Sequence, residues 1–211
     1  MGPPLRPPDL TERERQMDNR RFQHAIAKID AANAADPNRL TVDGQPRPLE
    51  VAHAEKRTAW IHRLVGDAPP EALLLAARGQ HIRRWEIPRD SYPRDRAGYL
   101  KWRSDLKQFH ADRTAEILAE VGYEPELIDR VKSLILKKRL KLDPEVQALE
   151  DSLCLVFLET QFADFSKKET DKIVGIVRKT WQKMSPQGQQ YALALPLPAA
   201  ERAIIEQALQ G

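Results

Sequence analysis

From residue 18 onward this chain sets apolar side chains at intervals of three and four residues almost without interruption, a spacing that only helices can turn into a buried face. Phe22, Ile26 and Ile29 mark a first helix, closed by the turn-rich stretch 33–48. A second is expected over Leu49–Val65, stopped by Gly66, and a third from Pro70 to about Trp85, apolar on most sides. Pro88 and Pro93 punctuate a loop over 86–94. A long helix follows from about Arg96 to Val121 with Gly122 as C-cap, then one opened by Pro125 and running to about Lys138. Asp143 and Pro144 supply an N-cap and first-turn pair for a helix to about Ala163. Residues 168–184 form another, and short helices follow Ser185-Pro186 and Pro196–Pro198. The only alternating segment, Thr41-Val42-Asp43, is too short to count, so the fold class is all-α.

Residues 1–16, rich in proline and charge, are expected to form a disordered arm, and 17–211 a single helical domain. The net charge is only +3, so bulk charge does not argue for a nucleic-acid partner. A single cysteine, Cys154, lies in an apolar run and reads as a small buried hydrophobe. No apolar stretch at the N-terminus suits a signal peptide, and no run of about 18 apolar residues suits a membrane span, so a cytoplasmic protein is expected.

Three of the five histidines stand out by placement. His53, His81 and His110 lie 28 and 29 residues apart, each about one helix and one connection beyond the last. Adjacent helices can gather them in one pocket. Glu150-Asp151 opens an apolar helical run, where an acid is costly unless paired or bound to a cation. With Asp151 pointing inward, His53, His81 and Asp151 make a two-histidine, one-carboxylate set suited to Fe, Mn or Zn, with positions open for water or substrate. Glu50 and His53, three apart, fall on one helix face.

The order of His53, the run Leu73 to His81, and Asp151 resembles the HD superfamily of metal-dependent hydrolases, over roughly residues 48–165. The resemblance implies an HD-like helical bundle in which His53, His81 and Asp151 bind the metal. His110 would be a second ligand or, with Glu150, part of the acid/base machinery. The chain departs from the pattern at Ile82, where that superfamily carries the aspartate of its doublet. One ion rather than two is therefore expected, because the carboxylate that would bridge a pair is absent. The strings Gln80-His81-Ile82-Arg83-Arg84-Trp85, Gly98 to Arg103, Phe109-His110-Ala111 and Glu150 to Glu159 more closely resemble the family described as domain of unknown function 4202, over about residues 22–185. That resemblance implies no activity.

A second cluster is basic. Between Arg78 and Arg103 stand eight bases and three acids, with Trp85, Tyr92, Tyr99 and Trp102 interleaved. Arginine forks hold phosphate or carboxylate, and aromatic rings stack on bases. Arg78, Arg83, Arg84, Trp85 and Arg103 are the expected substrate-binding residues, and Lys137-Lys138-Arg139 with Lys141 a solvated helix end. The expected function is a metal-dependent hydrolase of a small anionic, phosphorylated or nucleotide-like compound, with an iron-dependent oxygenase as its enzymatic variant. The alternative is a non-catalytic module that binds nucleotide or RNA through the arginine and aromatic loop.

Overall fold

The computed structural model describes residues 12–168 and 172–210. Each of the nine expected helices has a counterpart: α1 (Glu12–Ala34), α2 (Leu49–Val65), α3 (Glu71–Gly79), α4 (Arg96–Val121), α5 (Pro125–Ile135), α6 (Pro144–Thr160), α8 (Ile173–Lys183), α9 (Pro186–Leu193) and α10 (Ala199–Leu209), while the short α7 (Phe162–Lys168) is additional. Of the expected arm over 1–16, residues 12–16 belong instead to α1, which begins at Glu12, and residues 1–11 lie outside the described residues. Caps fall where the sequence puts them. Asp143 accepts from the backbone N–H groups of Glu145 and Val146 ahead of Pro144, and Gly122 ends α4 with φ +87°.

Two stretches depart from expectation. Arg39–Val42 (β1) and Gln45–Pro48 (β2) pair as an antiparallel hairpin turned by Asp43 and Gly44, both with positive φ. An Asp-Gly pair adopts that two-residue turn at little cost. The third helix stops at Gly79, six residues early. Beyond it Arg83 takes a left-handed conformation, its N–H held by the Asn33 side chain at 2.9 Å, and short 3-10 turns follow at Arg84–Glu86 and Arg89–Ser91.

Two apolar clusters form the core. One joins Ala25, Leu73, Leu75, Leu118, Leu134 and Leu149 from α1 and α3–α6; the other joins Trp60, Leu155, Phe162, Val177 and Ile205 from α2, α6–α8 and α10. The paired helices α2 and α6 feed both clusters and so tie them together. Among the described residues no helix is long and apolar enough to cross a membrane.

Candidate functional site

The early end of α3 leaves a pocket of about 100 Å³ between three segments. Gln80, His81 and Arg84 line it from the turn after α3; Arg103, Leu106, Lys107 and His110 line it from α4; Lys137 closes it from the turn after α5. The α4 residues recur at spacings of three and four, so a single helix face delivers them. Gly79 sets the approach of α3 to α4, because a Cβ there would lie 2.7 Å from Thr114 Cγ2. Lys137 reaches the pocket from a backbone with φ +56°, the first of three left-handed residues in that turn with Arg139 (+63°) and Lys141 (+74°).

The lining carries four cations and no acid. Lys137 pairs with the buried Glu150 behind it, and Lys183 lies 3.9 Å from the same carboxylate. Glu150 is held below the ordinary carboxylate range by Lys137 and Lys183, which overcome the cost of its burial. Arg84, Arg103 and Lys107 form no salt bridge among the described residues, although the charge of Glu50 acts on Arg84 and Glu150 interacts at longer range with Arg103 and Lys107. The Arg84 guanidinium instead stacks over the Trp102 ring, 5.2 Å from its centroid. Burial lowers the pKa of Arg84 and also that of Lys107.

Both pocket histidines are neutral. His110 is 1% exposed, and burial lowers its pKa to about 3, with the positive charges of Arg84 and Arg57 acting in the same direction. Its Nδ1 lies 2.9 Å from the Ile82 carbonyl oxygen, which can only accept; Nδ1 therefore carries the proton, and Nε2, left with a lone pair, has no partner. His81, ring to ring with His110 at 5.6 Å, is pushed well below the usual imidazole range by burial, Arg57 and Arg84. Behind it lies a buried pair: Glu50 Oε2 is 3.7 Å from His81 Nδ1 and 3.6 Å from Arg57 Nη1, and Arg57 donates to the Ala77 carbonyl at 3.0 Å. The start of α2 holds Glu50 there, since the Asp36 carboxylate accepts the Glu50 N–H at 3.0 Å.

The residues expected to bind metal go elsewhere. His53 faces the end of α6: the Thr160 hydroxyl, which donates to the Val156 carbonyl, sits 3.1 Å from His53 Nε2, and Gln161 Nε2 sits 3.5 Å from Nδ1. Asp151 accepts from Gln147 Nε2, from the Ser185 N–H and from the Ser185 hydroxyl. Only His81 of the three lines the pocket. Among the described residues no three His, Cys, Asp or Glu side chains gather as metal ligands, and four cations around His81 and His110 repel a further one. The donor set does not fit the transition metal that the HD resemblance implies.

Of the expected substrate-binding residues, Arg84 and Arg103 line the pocket. Arg78 forks onto Asp30 at 2.6 and 2.5 Å, and Arg83 pairs with Glu86 at 2.6 Å beside a separate groove between α1 and α4. Trp85 is half-buried and not in the lining, nor is Glu150, while His110 is. Lys137, read as part of a solvated helix end, is a pocket cation, and Gln80, Arg57 and Lys107 were not singled out. The 103, 107, 110 spacing on a helix is the signal that finds Lys107.

The family model described as domain of unknown function (DUF4202) matches residues 23–205. The chain belongs to that family. The pocket-lining segments all fall within the matched span. No curated protein and no solved structure matches the chain.

Proposed function

We propose that this DUF4202 chain binds a small anionic, phosphorylated compound in the pocket between α3, α4 and the Lys137 turn. The observation that carries the reading is a lining of four cations and no acid, three of them in no salt bridge among the described residues. Half-buried cations left unpaired cost stability unless an anion meets them. An arginine pair with two lysines matches a phosphoryl group, the forks supplying geometry and the lysines charge.

A hydrolytic role is the second reading, and the two imidazoles favour it, because anion binding alone needs neither. Burial is the main reason that His81 and His110 stay neutral, and the charges of Arg57 and Arg84 add to it; a bound anion offsets that second contribution. It thereby brings them toward the range in which imidazoles exchange protons near neutral pH. In that reaction a water oxygen would bond to phosphorus, the ester oxygen would leave with a proton, and His81 would carry the proton between them.

Titration calorimetry with inorganic phosphate tests the binding step. Wild type is expected to bind, and Arg84→Ala with Arg103→Ala to lose affinity by at least about tenfold, as for charge-assisted hydrogen bonds. Equal affinity in the double variant overturns the proposal. Release of phosphate from a panel of monoesters, abolished by His81→Ala with binding retained, separates an enzyme from a binding module.

A further inference from the structure

Two lining side chains do not match a bare anion. Gln80 and His110 are each 1% exposed, and each has one polar atom without a partner, Gln80 Oε1 and His110 Nε2. Backbone carbonyls fix the chemistry of both. The Gln80 amide nitrogen points to the Ile135 carbonyl at 3.4 Å, which turns its oxygen the other way. The Ile82 carbonyl takes the Nδ1 proton of His110, which leaves Nε2 as a lone pair. Both unpartnered atoms are therefore acceptors. The dianion of a phosphomonoester offers only acceptors, so its phosphoryl group pairs with Arg84, Arg103, Lys107 and Lys137 and leaves these two sites unmet.

We infer that the ligand carries, beside its anionic group, hydroxyl donors placed to meet Gln80 Oε1 and His110 Nε2, which makes it a phosphorylated polyol or sugar. The inference rests on the anion-binding reading of the same pocket and narrows its ligand class. A pocket of about 100 Å³ holds roughly three waters at ~30 Å³ each, which suits one phosphoryl group with an adjoining hydroxylated carbon and leaves the rest of the ligand at the mouth. Buried acceptors facing no donor lose more than a made hydrogen bond gains, so discrimination for hydroxyl is expected to be strong.

The test is calorimetry on the full chain with three probes: propyl phosphate, glycerol 3-phosphate and ribose 5-phosphate. Propyl and glycerol phosphates share chain length and anionic group and differ in two hydroxyls. Wild type is expected to bind at least one hydroxylated ester about tenfold more tightly than propyl phosphate. That advantage, read as the ratio of the two affinities within each variant, is expected to shrink to about twofold or less in Gln80→Leu and His110→Leu. Should either variant fail to fold, the comparison of probes on wild type alone still decides. If neither hydroxylated ester exceeds propyl phosphate, water satisfies the two acceptors and the polyol inference is wrong, with the anion site intact. If no phosphate probe binds, or binding ignores Arg103→Ala, the anion reading itself has failed.

Discussion

Asp151 holds Ser185 by two hydrogen bonds, accepting the backbone N–H at 2.8 Å and the hydroxyl at 2.5 Å, and so fastens the start of α9 to the middle of α6. Ser185 in turn caps α9 by accepting the Gly188 N–H at 3.0 Å. A Cβ on Gly188 would lie 2.7 Å from the Asp151 Cγ, so only glycine lets the carboxylate sit over that first turn. The acid thus meets the positive end of a helix dipole as well as three donors, the third being Gln147 Nε2.

Asp151→Ala is therefore expected to cost about 2–3 kcal/mol in urea unfolding, the size of a buried charge-assisted hydrogen-bond set. Its affinity for inorganic phosphate should match wild type. A ligand role for Asp151 predicts the reverse: a modest change in stability with loss of bound ion and of function. Elemental analysis beside the unfolding curve distinguishes the two.

The acid sensitivity of the fold should trace to its neutral histidines. In the fold His110 titrates at about 3 and His53 at about 4, burial being the main cause in both, against an ordinary value near 6.5 in the unfolded chain. Between those values the unfolded chain binds the extra protons. Stability is then fully present above pH 6.5 and falls as the pH drops toward 4, by up to about 1.4 kcal/mol per pH unit for each histidine. Burial raises the pKa of Glu50, which acts in the opposite sense only around and above the ordinary glutamate value. Urea midpoints at pH 7 and pH 5 should differ clearly in wild type and less in His110→Gln. An unchanged pH slope in that variant would mean His110 is charged in the fold.

Gly79 and Thr114 form the contact that spaces α3 from α4. The Thr114 side chain occupies the room a Cβ on Gly79 would need, and its hydroxyl donates to the His110 carbonyl at 2.8 Å. Gly79→Ala is expected to destabilise by about 1–3 kcal/mol through overpacking and to weaken phosphate binding, since Gln80 and His81 follow it directly. Adding Thr114→Ala should restore part of both. A double variant whose loss equals the sum of the single losses would show that the two sites do not couple.

Much of this was legible in the sequence, and the failures have physical causes. Helix positions and caps follow from local rules, so Asp143, Pro144 and Gly122 sit where periodicity and capping place them. The hairpin at Asp43-Gly44 is encoded by a turn dipeptide that a search for alternating strands passes over. Which neighbour a helical side chain meets is a tertiary matter. Glu50 and His53 leave α2 one turn apart, yet Glu50 approaches Arg57 and His81 while His53 meets Thr160 and Gln161. Asp151 resembled a ligand because a buried acid needs compensation; its compensation is Ser185, whose own cap signal, Ser-Pro before a short helix, lay in plain view. Lys137 could not be assigned to the pocket from a run of basic residues, because a left-handed backbone turns it inward.

That same turn supplies a final prediction. Arg139 is exposed, has φ +63°, and makes no side-chain hydrogen bond or ion pair among the described residues. Its carbonyl still accepts from the Leu142 and Asp143 N–H groups, so the turn does not need the arginine side chain to keep its shape. A non-glycine residue in the left-handed region costs about 1–2 kcal/mol, and glycine removes that cost while gaining some freedom in the unfolded chain. Arg139→Gly is expected to raise stability by about 0.5–1 kcal/mol, and Arg139→Ala, which keeps a Cβ, to leave it nearly unchanged. Phosphate affinity should hold in both, because Lys137 retains its place. Lys137→Gly relieves the same kind of strain but removes a pocket cation and the partner of Glu150, so it should lower both affinity and stability. Thermal unfolding with phosphate titration on the three variants checks this ordering, and a loss of affinity in Arg139→Gly would show that the strained turn itself holds the pocket in its binding geometry.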